Sequence, residues 1–424
     1  MKKYKNRIAD ILLSRKLEGA GAVLIEGAKW CGKTTTAEQI AKSILYMSDP
    51  EKTNQYLEMA EIQPKQLLVG KTPRLLDEWQ LAPKLWDAVR FEVDHRDETG
   101  QFILTGSAVP PATKDIHHSG TGRSSRLKMR PMSLFESGES NGDVSLSDLF
   151  MDNHEITGVN SVSFEQLAFL VCRGGWPRTT EMRNQIALDQ AFDYCDAVIN
   201  SDVSRVDNIV RDPARTRKLL RSYARHQGTQ VANTVIKADM VSNGNMQMDD
   251  DTLYSYLSAL KKIFVIEEME AWNPNLRSKT AIRTSDTRYF VDPSIATAVL
   301  GLGPEDLMND LNTFGLLFET LCVRDLRVYA DAVNGQVYHY RDGADLECDA
   351  VIHLRNGKYG LAEIKLGGEK LIEEGAEVLQ KLEKKIDTDR MNSPAFKMVL
   401  TGTGDYAYQR KDGIFVVPIG CLKY

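Results

Sequence analysis

The chain lacks a long apolar run: stretches such as Ala22–Ile25 and Phe102–Leu104 fall far short of the ~20 residues that a membrane span needs. Its basic start, MKKYKNRIAD, is not followed by an apolar stretch of signal-peptide length, so a cytoplasmic protein with no membrane partner is expected. Cysteines are few and scattered, at 31, 172, 195, 322, 348 and 421, and none forms a C-x-x-C pair. Zinc and disulfide frameworks are therefore not expected, and reduced, buried thiols are. Neither sign of charge dominates, with 53 Lys and Arg against 59 Asp and Glu for a net charge of −6. That balance excludes an all-round basic surface but leaves room for a local basic groove.

What is present is ordinary globular composition, 42% hydrophobic and 26% charged, over 424 residues. At roughly 100–200 residues per domain this length predicts two to four domains, and the composition excludes disorder or collagen-like structure. The strongest local signal comes early. Ala20–Glu26 reads as a buried strand, and Gly27-Ala28-Lys29-Trp30-Cys31-Gly32-Lys33-Thr34 follows, then a helical stretch from Thr35 to Leu45. This is G-x-x-x-x-G-K-[ST] between a strand and a helix, the setting in which backbone amides and a helix N-terminus cradle phosphates. Lys33 is placed to reach the β- and γ-phosphates of ATP and Thr34 to ligate Mg²⁺, with Thr35 next to it.

A phosphate loop needs an acidic partner, and Arg74-Leu-Leu-Asp77-Glu78-Trp79-Gln80 supplies one. Asp77 at the end of a short apolar strand suits the metal side, and Glu78 suits the base that polarises the attacking water. A third strand, Gln101–Ser107, ends in Ser107, a candidate sensor of the γ-phosphate; Thr105 lies deeper in the strand and is the weaker candidate. A Gly/His/Ser-rich loop then leads to Arg123, a candidate arginine finger for a neighbouring subunit's nucleotide, although a solvated loop arginine would look the same.

These pieces resemble the ATPases that join an N-terminal AAA-type domain to a C-terminal domain of unknown function, the AAA_14/DUF4143 architecture. The resemblance rests on GAKWCGKTT at 27–35, PRLLDEWQ at 73–80, FILTGS at 102–107, HSGTGR at 118–123 and MRPMSLFESGES at 129–140. CRGGWP at 172–177, RYFVDPSIA at 288–296, LECDAVI and GLAEIKLG extend it over nearly the whole chain. It implies an α/β fold: an AAA-type P-loop ATPase domain at 1–140, a helical lid and winged-helix region at 160–300, and a PD-(D/E)xK nuclease-like α/β domain at 305–424. It also implies a ring oligomer, expected to be a hexamer, with Arg123 acting in trans. A lid arginine commonly returns to the nucleotide in AAA proteins, which makes Arg178 a further candidate, with a surface role as the alternative.

Within the middle region, Asp189 to Tyr223 is charged and helical, with a break expected at Pro213. Val231–Met240 and Thr252–Leu260 suggest two helices of a winged helix around a turn at Asn243-Gly-Asn, and Phe264–Met269 and Arg288–Asp292 its wing strands. The intervening loop carries Arg277, Lys279 and Arg283, which favours contacts with a DNA backbone; protein contacts alone are the alternative. Near the C-terminus, Phe314–Arg327 reads as a helix containing Glu319, and two strands joined by Asn356-Gly357 carry Asp349 and Glu363-x-Lys365. This resembles the PD-(D/E)xK core: Asp349 and Glu363 suit a second Mg²⁺ site, Glu347 is an alternative carboxylate, Glu319 could complete the site, and Lys365 would act as a catalytic partner rather than a ligand. The expected function is a Mg²⁺-dependent ATPase that oligomerises and remodels duplex or branched DNA such as four-way junctions. An ATP-gated nuclease and a nucleotide-switched DNA- or protein-binding regulator are the alternatives.

Overall fold

The computed structural model describes residues 4–107, 122–151, 155–207, 209–241, 248–273, 285–389 and 391–424. The chain divides into two compact units. The first holds residues 1–131, 197–213 and 250–265, and the second holds 132–196, 214–249 and 266–424.

The first unit is built on a parallel sheet of β1 (Ala22–Glu26), β2 (Ser43–Tyr46), β3 (Arg74–Asp77), β4 (Phe102–Gly106) and β5 (Ser124–Lys128), in the order β2-β3-β4-β1-β5. The central strands are apolar along both edges of the alternation because helices cover both faces. On one face Leu24, Leu76, Phe102 and Leu104 pack with Trp79, Leu85, Trp86 and Val89. On the β1 and β5 side the helix Ile8–Gly19 closes the sheet, burying Ile8, Leu12 and Leu13. In phase register, Ile25 lies beside Thr105 and Leu76 beside Leu104, so the C-terminal ends of β1, β3 and β4 finish together.

The helix expected over Thr35–Leu45 is shorter in the structure. It ends at Ile40, Ala41 turns to extended backbone, and Ser43–Tyr46 becomes edge strand β2 against β3. A short apolar run cannot by periodicity alone announce whether it is strand or helix, and pairing with β3 decided it.

The second unit centres on a seven-stranded mixed sheet. Beside the short pair β6 (Val144–Ser145) and β14 (Leu422–Lys423), its strands are β7 (Gly158–Val159), β8 (Gly335–Arg341), β9 (Glu347–Leu354), β10 (Tyr359–Lys365), β11 (Phe396–Thr401), β12 (Tyr406–Gln409) and β13 (Phe415–Pro418). Their order is β7-β12-β13-β11-β10-β9-β8. β8, β9 and β10 form an antiparallel meander, with Gly357 of the Asn-Gly turn at φ 87° as that turn chemistry requires. β10 and β11 are parallel, which needs a crossover, and the helix Glu369–Lys385 provides it. The helix Leu311–Ala332 packs on β8, β9 and β10.

A buried ion cluster explains three motifs of this unit. Arg324 lies between Asp292 at 2.9 Å and Asp325 at 2.7 Å, all three almost wholly buried. Asp292 also accepts from the Gly175 amide (2.9 Å) and the Ser294 hydroxyl (2.6 Å), and Asp325 accepts from the Leu134 amide (2.9 Å). Thus the Met132–Leu134, Gly174–Trp176 and Asp292–Ser294 segments meet at one guanidinium. A Cβ at Gly175 would stand 2.1 Å from the Met132 carbonyl oxygen, so the approach needs glycine.

The middle region contributes to both units. Its helix Asn233–Val241 belongs to the second unit and Asp250–Lys262 to the first. Ile266 with Phe290 and Met269 with Thr287 form antiparallel bridges where wing strands are expected. The turn at 243–245 and Arg277, Lys279 and Arg283 lie outside the described residues. The break expected at Pro213 is there: the helix Val203–Arg205 ends before it and Pro213 opens the helix Pro213–Arg225, where a first-turn proline lacks only an amide that would have no helical acceptor. All six cysteines are free and buried, and among the described residues no helix is long and apolar enough to cross a membrane.

Removing the cation from the buried cluster should leave two carboxylates uncompensated. Arg324→Ala is expected to destabilise the second unit by about 3–5 kcal/mol, read as a lowered urea midpoint of its unfolding transition. Arg221→Ala, an exposed arginine in the same unit, should leave that midpoint in place.

Candidate functional site

The parallel register delivers the site. β1 ends at Glu26, and the loop leaves over Gly27, where a Cβ would lie only 2.0 Å from the Met129 carbonyl oxygen. Gly32 sits in the left-handed region at φ 99° and caps the helix that begins at Lys33. The first-turn amides of that helix lack intrahelical acceptors and carry its positive dipole end, the arrangement that binds phosphate. Lys33 is buried and donates to the carbonyls of Gly27 (2.9 Å) and Ala28 (2.8 Å), lying across the loop. Ala28 and Cys31 are buried, while Trp30 and Thr35 are exposed. Lys29 points elsewhere, pairing with Asp202 of the first unit at 2.5 Å.

Asp77, at the tip of β3, is buried and takes two hydroxyl hydrogen bonds on one oxygen. Thr34 donates to its Oδ1 at 2.6 Å and Thr105 at 2.7 Å. Glu78 then adopts a left-handed conformation at φ 54°, rare for a non-glycine residue and frequent at functional sites. The Gln80 amide and the Ser107 hydroxyl (3.3 Å) both donate to Glu78 Oε2. The sequence-derived pair Asp77 and Glu78 is therefore brought together with Thr34 and Ser107. Thr105, the weaker candidate on sequence grounds, reaches Asp77 because it points to the same side of β4 as Ser107.

Arg7 and Gln80 carry no signal that the motif reading could use. Arg7, almost fully buried, donates to the Cys31 carbonyl and the Arg130 carbonyl, each at 2.8 Å, and so braces the phosphate loop. Tyr4 extends that brace by bonding Asp10 (2.6 Å) and Thr36 (2.8 Å).

Arg123 stands at the opposite end of the sheet from its own loop. Its carbonyl accepts from the Gly21 and Ala22 amides at the start of β1, about 13 Å along the strand from Glu26 at ~3.3 Å per residue. Its guanidinium pairs with Asp94, which holds that carboxyl below its usual range. Arg178 is exposed in the second unit, just before the short turn Thr179–Glu181. Residues 118–121 of the loop leading to Arg123 lie outside the described residues.

In the second unit the meander places Asp349 of β9 beside Glu363 of β10. The Asp349 amide donates to Glu363 Oε1 (3.3 Å) and the Ile364 amide to Asp349 Oδ2 (2.7 Å). Lys365 Nζ lies 2.7 Å from Glu363 Oε2 and 3.3 Å from Asp349 Oδ2, joining both. Glu319, half-buried on the helix Leu311–Ala332, accepts from the Tyr289 hydroxyl at 2.5 Å; Tyr289 comes from the Arg288–Asp292 segment. Burial first, then the charge of Asp349, pushes both Glu319 and Glu363 up to about 8. The two carboxylates raise Lys365 above the usual ammonium range against the opposing effect of burial. Glu347 is drawn off into an ion pair with Arg341. Among the described residues no three His, Cys, Asp or Glu side chains are arranged to hold a metal ion, and the Lys365 ammonium pairs with both Asp349 and Glu363.

Three segments match known families: residues 20–137 an AAA domain (AAA_14), residues 164–306 a domain of unknown function (DUF8612), and residues 314–422 a domain of unknown function (DUF4143). Two uncharacterized proteins, Rv2008c of Mycobacterium tuberculosis and Mb2031c of Mycobacterium bovis, are each 24% identical over 364 residues, covering 85% of this chain and 74% of their own. Among solved structures, the Walker-type ATPase PABY2304 of Pyrococcus abyssi aligns with a TM-score of 0.42 at 15% identity, over 70% of this chain and 96% of its own. The ORC2 protein of Aeropyrum pernix in ADPNP–ADP complexes aligns with a TM-score of 0.30 at 14% identity, over 72% and 93%. The phosphate loop and the acidic strand end thus lie within the segment that matches the AAA domain, and the Asp349, Glu363 and Lys365 cluster lies within the segment that matches DUF4143.

Proposed function

We propose that this protein is a Mg²⁺-dependent ATP hydrolase that assembles as a ring and works on duplex or branched DNA. The observation that carries the first part is the shared Asp77 oxygen, which ties the loop threonine to the acidic strand end while Glu78 stands next in the chain. Lys33 would exchange two neutral carbonyls for phosphate oxygens, a stronger charge-assisted contact. The donor set of one hydroxyl and one carboxylate, Thr34 and Asp77, fits a hard cation that keeps most of its water. A bound Mg²⁺ there supplies charge neutralisation at the β- and γ-phosphates. Glu78 serves as the base toward the attacking water, and Ser107, which donates to Glu78, would sense the γ-phosphate. The remaining loop residues, Gly27 to Thr35, shape the cradle.

Arg123 is proposed to act on a neighbour's nucleotide, and its distance from its own loop supports a role in trans. Arg178 is proposed as a lid arginine. The three segments 1–140, 160–300 and 305–424 are read as ATPase, lid with winged helix, and PD-(D/E)xK-like domain. For the last, a DNA-docking role is favoured over cleavage: Lys365 neutralises the carboxylates that a nuclease would turn to metal.

Lys33→Ala should abolish ATP binding, whereas Glu78→Gln should still bind ATP while kcat falls by roughly 10²–10⁴-fold, both read with a fluorescent ATP analogue and phosphate release. Wild-type turnover in Glu78→Gln would remove the base assignment.

Arg123→Ala should bind ATP without hydrolysing it, and mixing it with Lys33→Ala protein should restore part of the activity, since each subunit supplies what its neighbour lacks. A monomeric mass by light scattering together with no rescue would return Arg123 to a surface role.

The second unit should also respond to pH. Glu319 and Glu363 have folded values of about 8, above the unfolded 4.5, so the stability they contribute is fully present below 4.5 and is lost as pH rises through 8. With chelator present, the melting temperature of that unit should fall as pH rises from about 4.5 to about 8, and Glu363→Gln should flatten the fall. If the unit instead binds Mn²⁺ and cuts DNA in a Lys365-dependent way, the docking assignment gives way to a nuclease.

A further inference from the structure

We infer that Gln80 is a positioning residue for Glu78, and that residue 106 is glycine in order to admit the Gln80 amide. The inference rests on the ATP hydrolase reading above and assigns a role that neither the phosphate loop nor the acidic pair contains.

Four observations converge on it. The left-handed backbone at Glu78 folds the chain into the short turn Trp79–Leu81, which carries Gln80 back over Glu78. Trp79 is buried against Trp86, with ring centroids 5.3 Å apart, and fixes that turn to the core. The Gln80 Nε2 group donates to Glu78 Oε2, the same oxygen that Ser107 approaches at 3.3 Å. Both donors thus hold one carboxylate oxygen, and among the described residues no hydrogen bond engages Glu78 Oε1.

The second end of the amide is the telling one. Gln80 Oε1 is buried and has no hydrogen-bond partner. A buried amide oxygen without a donor is costly, and exchanging the two ends of the amide would set an oxygen against the Glu78 carboxylate. The orientation is therefore fixed by Glu78 at the expense of local stability. The amide also needs room: a Cβ at Gly106 would stand 2.9 Å from Gln80 Oε1 and 3.2 Å from Trp79 Nε1. Gly106 lies between Thr105, which bonds Asp77, and Ser107, which bonds Glu78, so β4 serves both acids with its hydroxyls and yields to Gln80 in between. Two local costs in neighbouring residues, a left-handed glutamate and an orphaned amide oxygen, are what a site pre-organised for chemistry retains.

The test compares the full-length wild type with Gln80→Ala, Gly106→Ala, Glu78→Gln and the double variant Glu78→Gln/Gln80→Ala, reading kcat, KM and binding of a fluorescent ATP analogue. Gln80→Ala should lower kcat roughly 10- to 100-fold with ATP binding unchanged, because the carboxylate is mispositioned rather than removed. Gly106→Ala should move kcat the same way, since the added methyl displaces the amide while leaving both functional groups intact. In the Glu78→Gln background Gln80→Ala should have no further effect, because a residue that acts through Glu78 has nothing left to position. Wild-type kcat in Gln80→Ala, loss of ATP binding along with turnover, or an equal loss in both backgrounds would overturn the inference while the hydrolase reading stands. Wild-type turnover in Glu78→Gln would instead remove the base assignment, and the inference with it.

Discussion

One carboxylate oxygen organises the first unit. Asp77 Oδ1 accepts from Thr34, at the start of the helix after β1, and from Thr105, at the end of β4. Because β1, β3 and β4 are parallel and neighbours, three separate stretches of sequence end on that atom. The register that stacks Leu24, Leu76 and Leu104 in the core is also the register that sets these hydroxyls within reach of Asp77. A slip of one residue in β4 would turn Thr105 and Ser107 to the opposite face and detach both acids from their hydroxyl donors.

The second unit relies on buried charge. Arg324 joins the Met132–Leu134, Gly174–Trp176 and Asp292–Ser294 segments, while Lys365 joins Asp349 and Glu363 on adjacent strands. In both places a cation lies against carboxylates whose charged form burial disfavours. The difference lies in exposure of the cation. Arg324 is sealed and serves cohesion, whereas the Lys365 side chain keeps 24% of its surface in solvent, at a site an external ligand can approach.

Motifs with fixed spacing were legible at the level of residues. The phosphate loop needs glycines, Lys33 and Thr34 at set offsets, and the Asn-Gly turn needs a left-handed glycine, so local geometry carries both signals. Segments without such offsets were less clear. Ile44 and Leu45 read as the end of a helix, but pairing with β3 draws them into β2. Thr105 was ranked below Ser107 for its depth in the strand, yet each of the two reaches its own acid.

By itself the sequence determined the phosphate-loop motif and its acidic partner, because such a loop depends on backbone geometry that a few contiguous residues enforce. Tertiary structure alone decided which side chains attend the acids. Arg7 bracing Cys31, Lys29 drawn to Asp202 and Tyr289 donated to Glu319 are all set by packing between distant segments. No spacing along the chain encodes such contacts, since a hydrogen bond between residues far apart in sequence depends on where the folded core places them.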